Sequence, residues 1–368
     1  MASGVRYINA NIRLCAILPE HLMTEPTLDV MNDIFEPALP HETDYICGNL
    51  HGSAKSLLLA NLALKNNGLM VVFTRDTPEA YRLETELRFF LGKANRDSIL
   101  NFPDWETLPY DIFSPFQDIV SQRLLTLYRL PKLEKGILLV PVATAMQRIA
   151  PVQYVDHHTF ELHVGDNTDL EALRLRLENG GYRYVSQVLE HGDFTVRGSL
   201  LDLFPMGSEV PYRIDLLDNE VESIRIFDPE SQRTTGKVTY IQLLPAHEFP
   251  SDDDAIARFR QRYREVVEGD PQRSEIYREI SQGHFPPGIE YYLPLFFDKT
   301  ATLFDFLPNK TLMVMMDGCD AAATAYWEDI QHRYEQLRHN IERPLLAPET
   351  LFVTPELLST TLHRSSLI

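Results

Sequence analysis

The sequence predicts an α/β protein in which a domain built on a parallel sheet is interrupted by an inserted antiparallel α+β unit. Three observations lead there. From Thr43 onward, short apolar runs alternate with helical periodicity, which implies parallel strands joined by right-handed crossovers. Between Thr159 and Pro245 that alternation gives way to one helix and a series of short β runs. From Ser251 the helical style resumes, as it does after an insertion. The expected organisation is therefore 1–158 for the first part of the α/β domain and 159–245 for the inserted unit. The second part of the domain, with its closing helix, takes 246–345, and 346–368 is a linker or the start of a further domain.

Residues 1–42 show only weak helical patches, around Glu20 to Phe35. Asp44 to Cys47 reads as a short strand, and Lys55 to Lys65 as an apolar helix stopped by Asn67-Gly68. Leu69 to Phe73 is a second strand. Thr77-Pro78-Glu79 supplies a cap, a first-turn proline and an acidic residue to the next helix, which Gly92 ends. Ile99 to Phe102 and Gly136 to Val140 continue the strand series. In the insertion, a helix from Asp169 to Glu178 precedes β runs at Phe194–Leu203, Tyr212–Leu217, Val221–Phe227 and Thr239–Leu244. Asp218-Asn219 reads as a hairpin turn. Helices follow from Ser251 to Gly269 and from Pro271 to Gly283, then a strand at Leu312–Met316. A long helix is expected from Asp320 to Arg343, and the residues after it close no recognisable element, as in a fragment of a longer protein.

Of the 368 residues, 44% are hydrophobic and 24% charged, the balance of a globular chain. The formal charge of −19 opposes binding to DNA or an anionic membrane through bulk charge. Cys15, Cys47 and Cys319 lie far apart, which rules out a disulfide framework or a cysteine zinc site as the organising device. With no signal peptide and no uninterrupted apolar span, a cytoplasmic location away from membranes is expected.

Four segments invite a chemical reading. Asn49 to Ser56 sits between strand and helix, where a phosphate-binding loop belongs, and ends in Lys55-Ser56. Gly52 is retained. Asn49 and Ala54, however, stand where backbone N–H groups must wrap the phosphates, and an alanine Cβ crowds that turn. A degenerate loop without bound nucleotide is expected, and with it no catalysis and no cofactor. Asp156-His157-His158 with His163 is a poor metal set, because adjacent residues on an extended segment face opposite ways. Glu190-His191-Gly192-Asp193 reads as a polar turn. In the third segment, alternation places Arg197 on one face of a strand, and Arg213 and Leu217 on one face of its neighbour. Guanidinium groups there suit forked contacts with carboxylates, although composition alone favours an ordinary internal salt bridge. The fourth segment, Phe102 to Asp111, interleaves aromatics with prolines but is acidic, and reads as a packed structural loop rather than a base-stacking platform.

These residues also carry a family resemblance. The runs FPDWETLPYDIFSPFQDIVSQRLLTLYRL at 102–130 and HGDFTVRGSLLDLFPMGSEVPYRIDLLDNEVESIRIFDPESQRT at 191–234 resemble the amino-terminal part of bacterial transcription-repair coupling factors. So do LLPAHEFP at 243–250, GIEYYLPLFF at 288–297 and RPLLAPETL at 343–351. A weaker similarity reaches the excision-repair protein UvrB. The resemblance implies a UvrB-like module with a degenerate P-loop-type domain, whose inserted domain binds the repair protein UvrA. It implies UvrA-contacting roles for Arg197 and Arg213, with Leu217 where the family has an aromatic residue. Motor activity and contacts with RNA polymerase and DNA would belong to other domains of a longer parent protein. On this reading, truncating either arginine weakens UvrA binding and leaves the fold intact.

Two alternatives stand beside it. One is a nucleotide-binding enzyme that still uses Lys55 and Ser56. The other is direct DNA binding, which the 8 basic against 15 acidic residues between Thr159 and Pro245 disfavour.

Overall fold

The computed structural model of the chain describes residues 6–9, 45–48 and 50–363. The expected helical patches around Glu20 to Phe35, and Asn49 of the candidate phosphate loop, lie outside the described residues.

Strands β1 (Arg6–Asn9) and β2 (Tyr45–Gly48) form a parallel pair. The main parallel sheet is built from β3 (Leu69–Thr74), β4 (Ile99–Asn101), β5 (Gly136–Pro141) and a late strand, Thr311–Met315. β3 and β5 are buried along their whole length, so their sequences run continuously apolar instead of alternating. Helices Ala54–Lys65, Thr77–Leu91 and Gln117–Arg129 add Leu58, Leu62, Leu83, Leu87, Leu124 and Leu127 to the core. The second of these is capped one residue earlier than expected. Asp76, not Thr77, accepts the Glu79 N–H at 2.8 Å. Gly68 precedes β3 for a steric reason, since a Cβ there would lie 2.2 Å from the Lys310 carbonyl oxygen.

The inserted unit opens with β6 (Phe160–His163) and a helix, Leu170–Asn179, capped by Asp169. Then come β7 (Arg183–Tyr184), β8 (Asp193–Arg197), β9 (Leu200–Leu203), β10 (Tyr212–Leu217), β11 (Glu220–Phe227) and β12 (Thr234–Val238). They form a six-stranded sheet in the order β12-β11-β10-β9-β8-β7, antiparallel except for the β7–β8 pair. β13 (Tyr240–Leu243) then pairs antiparallel with β6. The chain thus enters and leaves this antiparallel region through two hydrogen-bonded strands. Two details depart from the sequence reading. Phe194–Leu203 is not one run but two strands turned at Gly198, whose φ is +64°. β12 has weak apolar alternation and was not expected.

The last strand is β14 (Thr311–Met315), and it completes the parallel order β14-β3-β5-β4. The long helix after it spans Cys319–Leu337 and stops six residues short of Arg343. Beyond it, the Asn340 side chain accepts from the Glu342 and Arg343 N–H groups, and the Glu342 carbonyl accepts from Glu275. Tertiary partners thus replace the helical ladder. The final stretch, expected to be irregular, contains helices Pro348–Leu351 and Pro355–His363, with Leu351, Leu358 and Leu362 buried.

A buried ion pair ties the return segment to the first part. Arg123 donates from Nε and Nη2 to the Glu248 carboxylate at 2.5 and 3.3 Å, and from Nη1 to the Pro103 carbonyl at 2.7 Å. Its guanidinium lies 4.3 Å from the Phe102 ring centroid and 5.1 Å from that of Trp105, and the indole N–H also donates to Glu248, at 3.3 Å.

Candidate partner-binding face

Strand alternation gives the six-stranded sheet two unlike faces. Phe194, Leu201, Leu203, Ile214, Leu216, Val221 and Ile224 face inward and share a core with Leu173 and Leu177 of the helix Leu170–Asn179. The opposite face carries polar residues, beside a small buried cluster of Val188, Phe204 and Phe227. The registers Thr195↔Asp202, Asp202↔Arg213, Arg213↔Arg225 and Arg225↔Lys237 place those five residues in one line across β8 to β12. The next line holds Arg197, Leu200, Asp215 and Ser223. Leu217 follows on the same face of β10, opposite Glu220. The structure therefore brings Arg197, Arg213 and Leu217 together on one face, in different states.

Arg213 is held from within. It donates from Nε and Nη2 to both carboxylate oxygens of Asp202, at 2.7 and 2.8 Å, and its side chain is 18% exposed against 3% for Asp202. The Asp202 hydrogen bond raises the arginine pKa above its ordinary value. The guanidinium also stands 5.1 Å from the Phe227 ring, next to the Gln232 carbonyl. The internal salt bridge that composition favoured is present here. Truncating Arg213 would strand a buried carboxylate, a stability cost that the expectation of an intact fold in Arg213→Ala leaves out.

Arg197 is exposed and makes one long hydrogen bond, from Nη2 to the Ser186 carbonyl at 3.4 Å. Leu217 is 60% exposed at the hairpin tip. The tip bends as its sequence requires: Asp218 and Asn219 have φ values of +47° and +71°, left-handed conformations that short polar side chains tolerate. One cation and one apolar side chain are thus free to meet a partner, with a second cation partly accessible between them and the buried Asp202.

The other candidates resolve into structure. Ser56 is buried and donates to the Glu86 carboxylate instead of facing the loop, and the Ala54 N–H is taken by the His51 carbonyl at 3.2 Å. A carboxylate beside the hydroxyl that would bind a metal–phosphate complex opposes that chemistry. His158 contacts the Tyr154 carbonyl, and His163 contacts Glu161 and stacks on Tyr240. Among the described residues, no group of three metal-ligating side chains exists. His191 bridges Asp118 and the Ser208 carbonyl at 2.7 and 2.6 Å, joining the inserted unit to helix Gln117–Arg129. Phe102, Trp105 and Tyr110 are buried, as a packed structural loop requires. What the sequence reading missed on the polar face is Arg225 and Lys237. Only the strand register shows that they align with Arg213.

Among the described residues, no helix is long and apolar enough to cross a membrane. The UvrB interaction domain family matches residues 160–249. The chain is 46% identical over 324 residues to the transcription-repair-coupling factor of Haemophilus influenzae, covering 87% of this chain and 28% of that protein. Against the Escherichia coli K12 protein of the same name it is 44% identical over 309 residues, covering 84% and 27%. The Bacillus subtilis relative is 28% identical over 286 residues, covering 74% and 24%. The chain spans about a quarter of the length of these relatives, and over most of its own length it is a homologue of the transcription-repair-coupling factors.

Proposed function

We propose that this chain is a non-catalytic recruitment module that binds UvrA for nucleotide excision repair at stalled transcription. In this reading 159–245 is the binding domain, carried by a UvrB-like α/β body at 1–158 and 246–345. Translocation on DNA, RNA polymerase contact and ATP hydrolysis belong to the rest of the longer, cytoplasmic parent protein. The observation that carries the reading is the coincidence of the UvrB interaction domain match with a sheet face on which Arg197 and Leu217 stand exposed. Arg197 donates to a carboxylate on UvrA, Leu217 fills a shallow apolar contact, and Arg213 presents its outer edge beside them.

Calorimetric titration of the chain with UvrA tests this, with ATP and magnesium as a parallel titration. Truncating a buried interface arginine costs about 2 kcal/mol or more, so Arg197→Ala should weaken binding roughly thirtyfold with unchanged melting. No heat with UvrA, or equal affinity of wild type and Arg197→Ala, would overturn the assignment. The competing reading, a live nucleotide site at Lys55 and Ser56, requires saturable ATP binding lost in Lys55→Ala. The Ser56–Glu86 contact stands against it.

A further inference from the structure

Arg213, Arg225 and Lys237 stand directly opposite one another on three adjacent strands. Like charges at paired positions of an antiparallel sheet destabilise it. The unit carries 15 acidic residues against 8 basic ones, so three of its cations in one cross-strand line is not what composition favours. Compensation fades along the line. Arg213 has a buried, two-pronged partner in Asp202. Arg225 has a single contact, from Nη2 to the diagonal Asp215 at 3.1 Å, with both side chains 28% exposed. Its Nε is buried without a hydrogen-bond partner. Lys237, on the edge strand β12, is exposed and makes no ion pair among the described residues. The row thus runs from a paired cation to one without an ion-pair partner among the described residues, toward the open edge of the sheet.

We infer that Arg225 and Lys237 extend the docking face from Arg197 and Leu217 to the β12 edge and receive an acidic segment of the partner. The inference rests on the reading of this face as the UvrA-binding surface. It assigns a chemistry to the partner: carboxylates spaced to meet cations on neighbouring strands, about 5 Å apart. Arg197 and Leu217 lie one and two lines away on the same face, so an apolar contact flanked by acidic groups would span the whole surface. Asp215 holds Arg225 in place until the partner's carboxylates add to its exposed edge.

The test is titration of UvrA with Arg225→Gln, Lys237→Gln and the double variant, at low and moderate ionic strength, beside Arg197→Ala and thermal melting of each free chain. Removing two interface cations should weaken binding about tenfold and flatten its dependence on salt, because exposed charges act through screened, long-range attraction. Melting of the double variant should stay level or rise, since repulsion within the sheet is relieved. A merely structural role moves melting down instead. Wild-type affinity and salt dependence in the double variant, with Arg197→Ala still defective, overturn this inference and leave the reading of the face standing. Absence of any binding by the wild type overturns both.

Discussion

Arg213 meets two demands at one position, since its inner edge neutralises Asp202 while its outer edge reaches the polar face. Removing one partner of a buried pair costs about 3–5 kcal/mol, because the other charge stays desolvated. Arg213→Ala should therefore lower the denaturant midpoint markedly, and Asp202→Asn placed on top should restore much of it. Equal midpoints for Arg213→Ala and wild type would refute this account. A second residue-scale effect concerns pH. Burial pushes the Glu290 carboxyl from an ordinary 4.5 up to about 7, against the pull of the Ser114 hydroxyl, which donates to it at 2.8 Å. The folded state then holds a proton that the unfolded chain releases, so this group costs stability as pH rises from about 4.5 to 7. His247 acts in the opposite sense. Burial, assisted by the Arg183 charge, lowers it from 6.5 to about 4, and its contribution is lost as pH falls through that window. Glu290→Gln should gain stability relative to wild type across pH 4.5 to 7. Parallel stability curves for the two would rule out the assignment.

At the scale of elements, the β10–β11 hairpin depends on two left-handed residues at its tip. Asn219→Val forces a β-branched side chain into φ near +71°, at a cost of about 1–2 kcal/mol. Asn219→Gly should be tolerated or mildly stabilising. Both changes are read by thermal melting, and equal melting of the two variants would mean the turn carries no such constraint. This hairpin was legible in the sequence because its signal is local, two turn residues between alternating runs. The β8–β9 turn was not, since Val196-Arg197-Gly198-Ser199-Leu200 reads as continuous strand until Gly198 takes a positive φ.

Over the whole molecule, polar contacts tie the return segment that follows the inserted unit to the first part of the chain. Beyond the Arg123–Glu248 pair, the Tyr154 hydroxyl lies 3.0 and 2.8 Å from the His247 and Phe249 carbonyl oxygens. Gly207 N–H donates to the Ser121 hydroxyl at 2.7 Å. Gly181, with φ +85°, admits the His247 ring, which a Cβ would approach to 2.5 Å. Glu248→Ala strands the fully buried Arg123 guanidinium and should cost about 3–5 kcal/mol. It should also loosen the return segment on helix Gln117–Arg129, seen as faster amide exchange in β13, which leads into that segment. Unchanged stability and exchange would assign the pair no such role.

Local chemistry by itself determined the alternation of strand and helix, the 218–219 turn, and the faces of their own strands on which Arg197, and Arg213 with Leu217, lie. Periods of two and 3.6 residues, caps and turn residues act within a few positions of each other. It also supplied the expectation of a degenerate phosphate loop, because Ala54 stands where that loop needs glycine. Only tertiary structure decided that Arg213 is engaged while Arg197 is free, since Asp202 reaches Arg213 through strand pairing across a hairpin. It alone decided that Arg225 and Lys237 share the line of Arg213, because register is a relation between strands. The helix ending at Leu337 and the pairing of Arg123 with Glu248 were closed to the sequence for the same reason: each depends on partners far away along the chain.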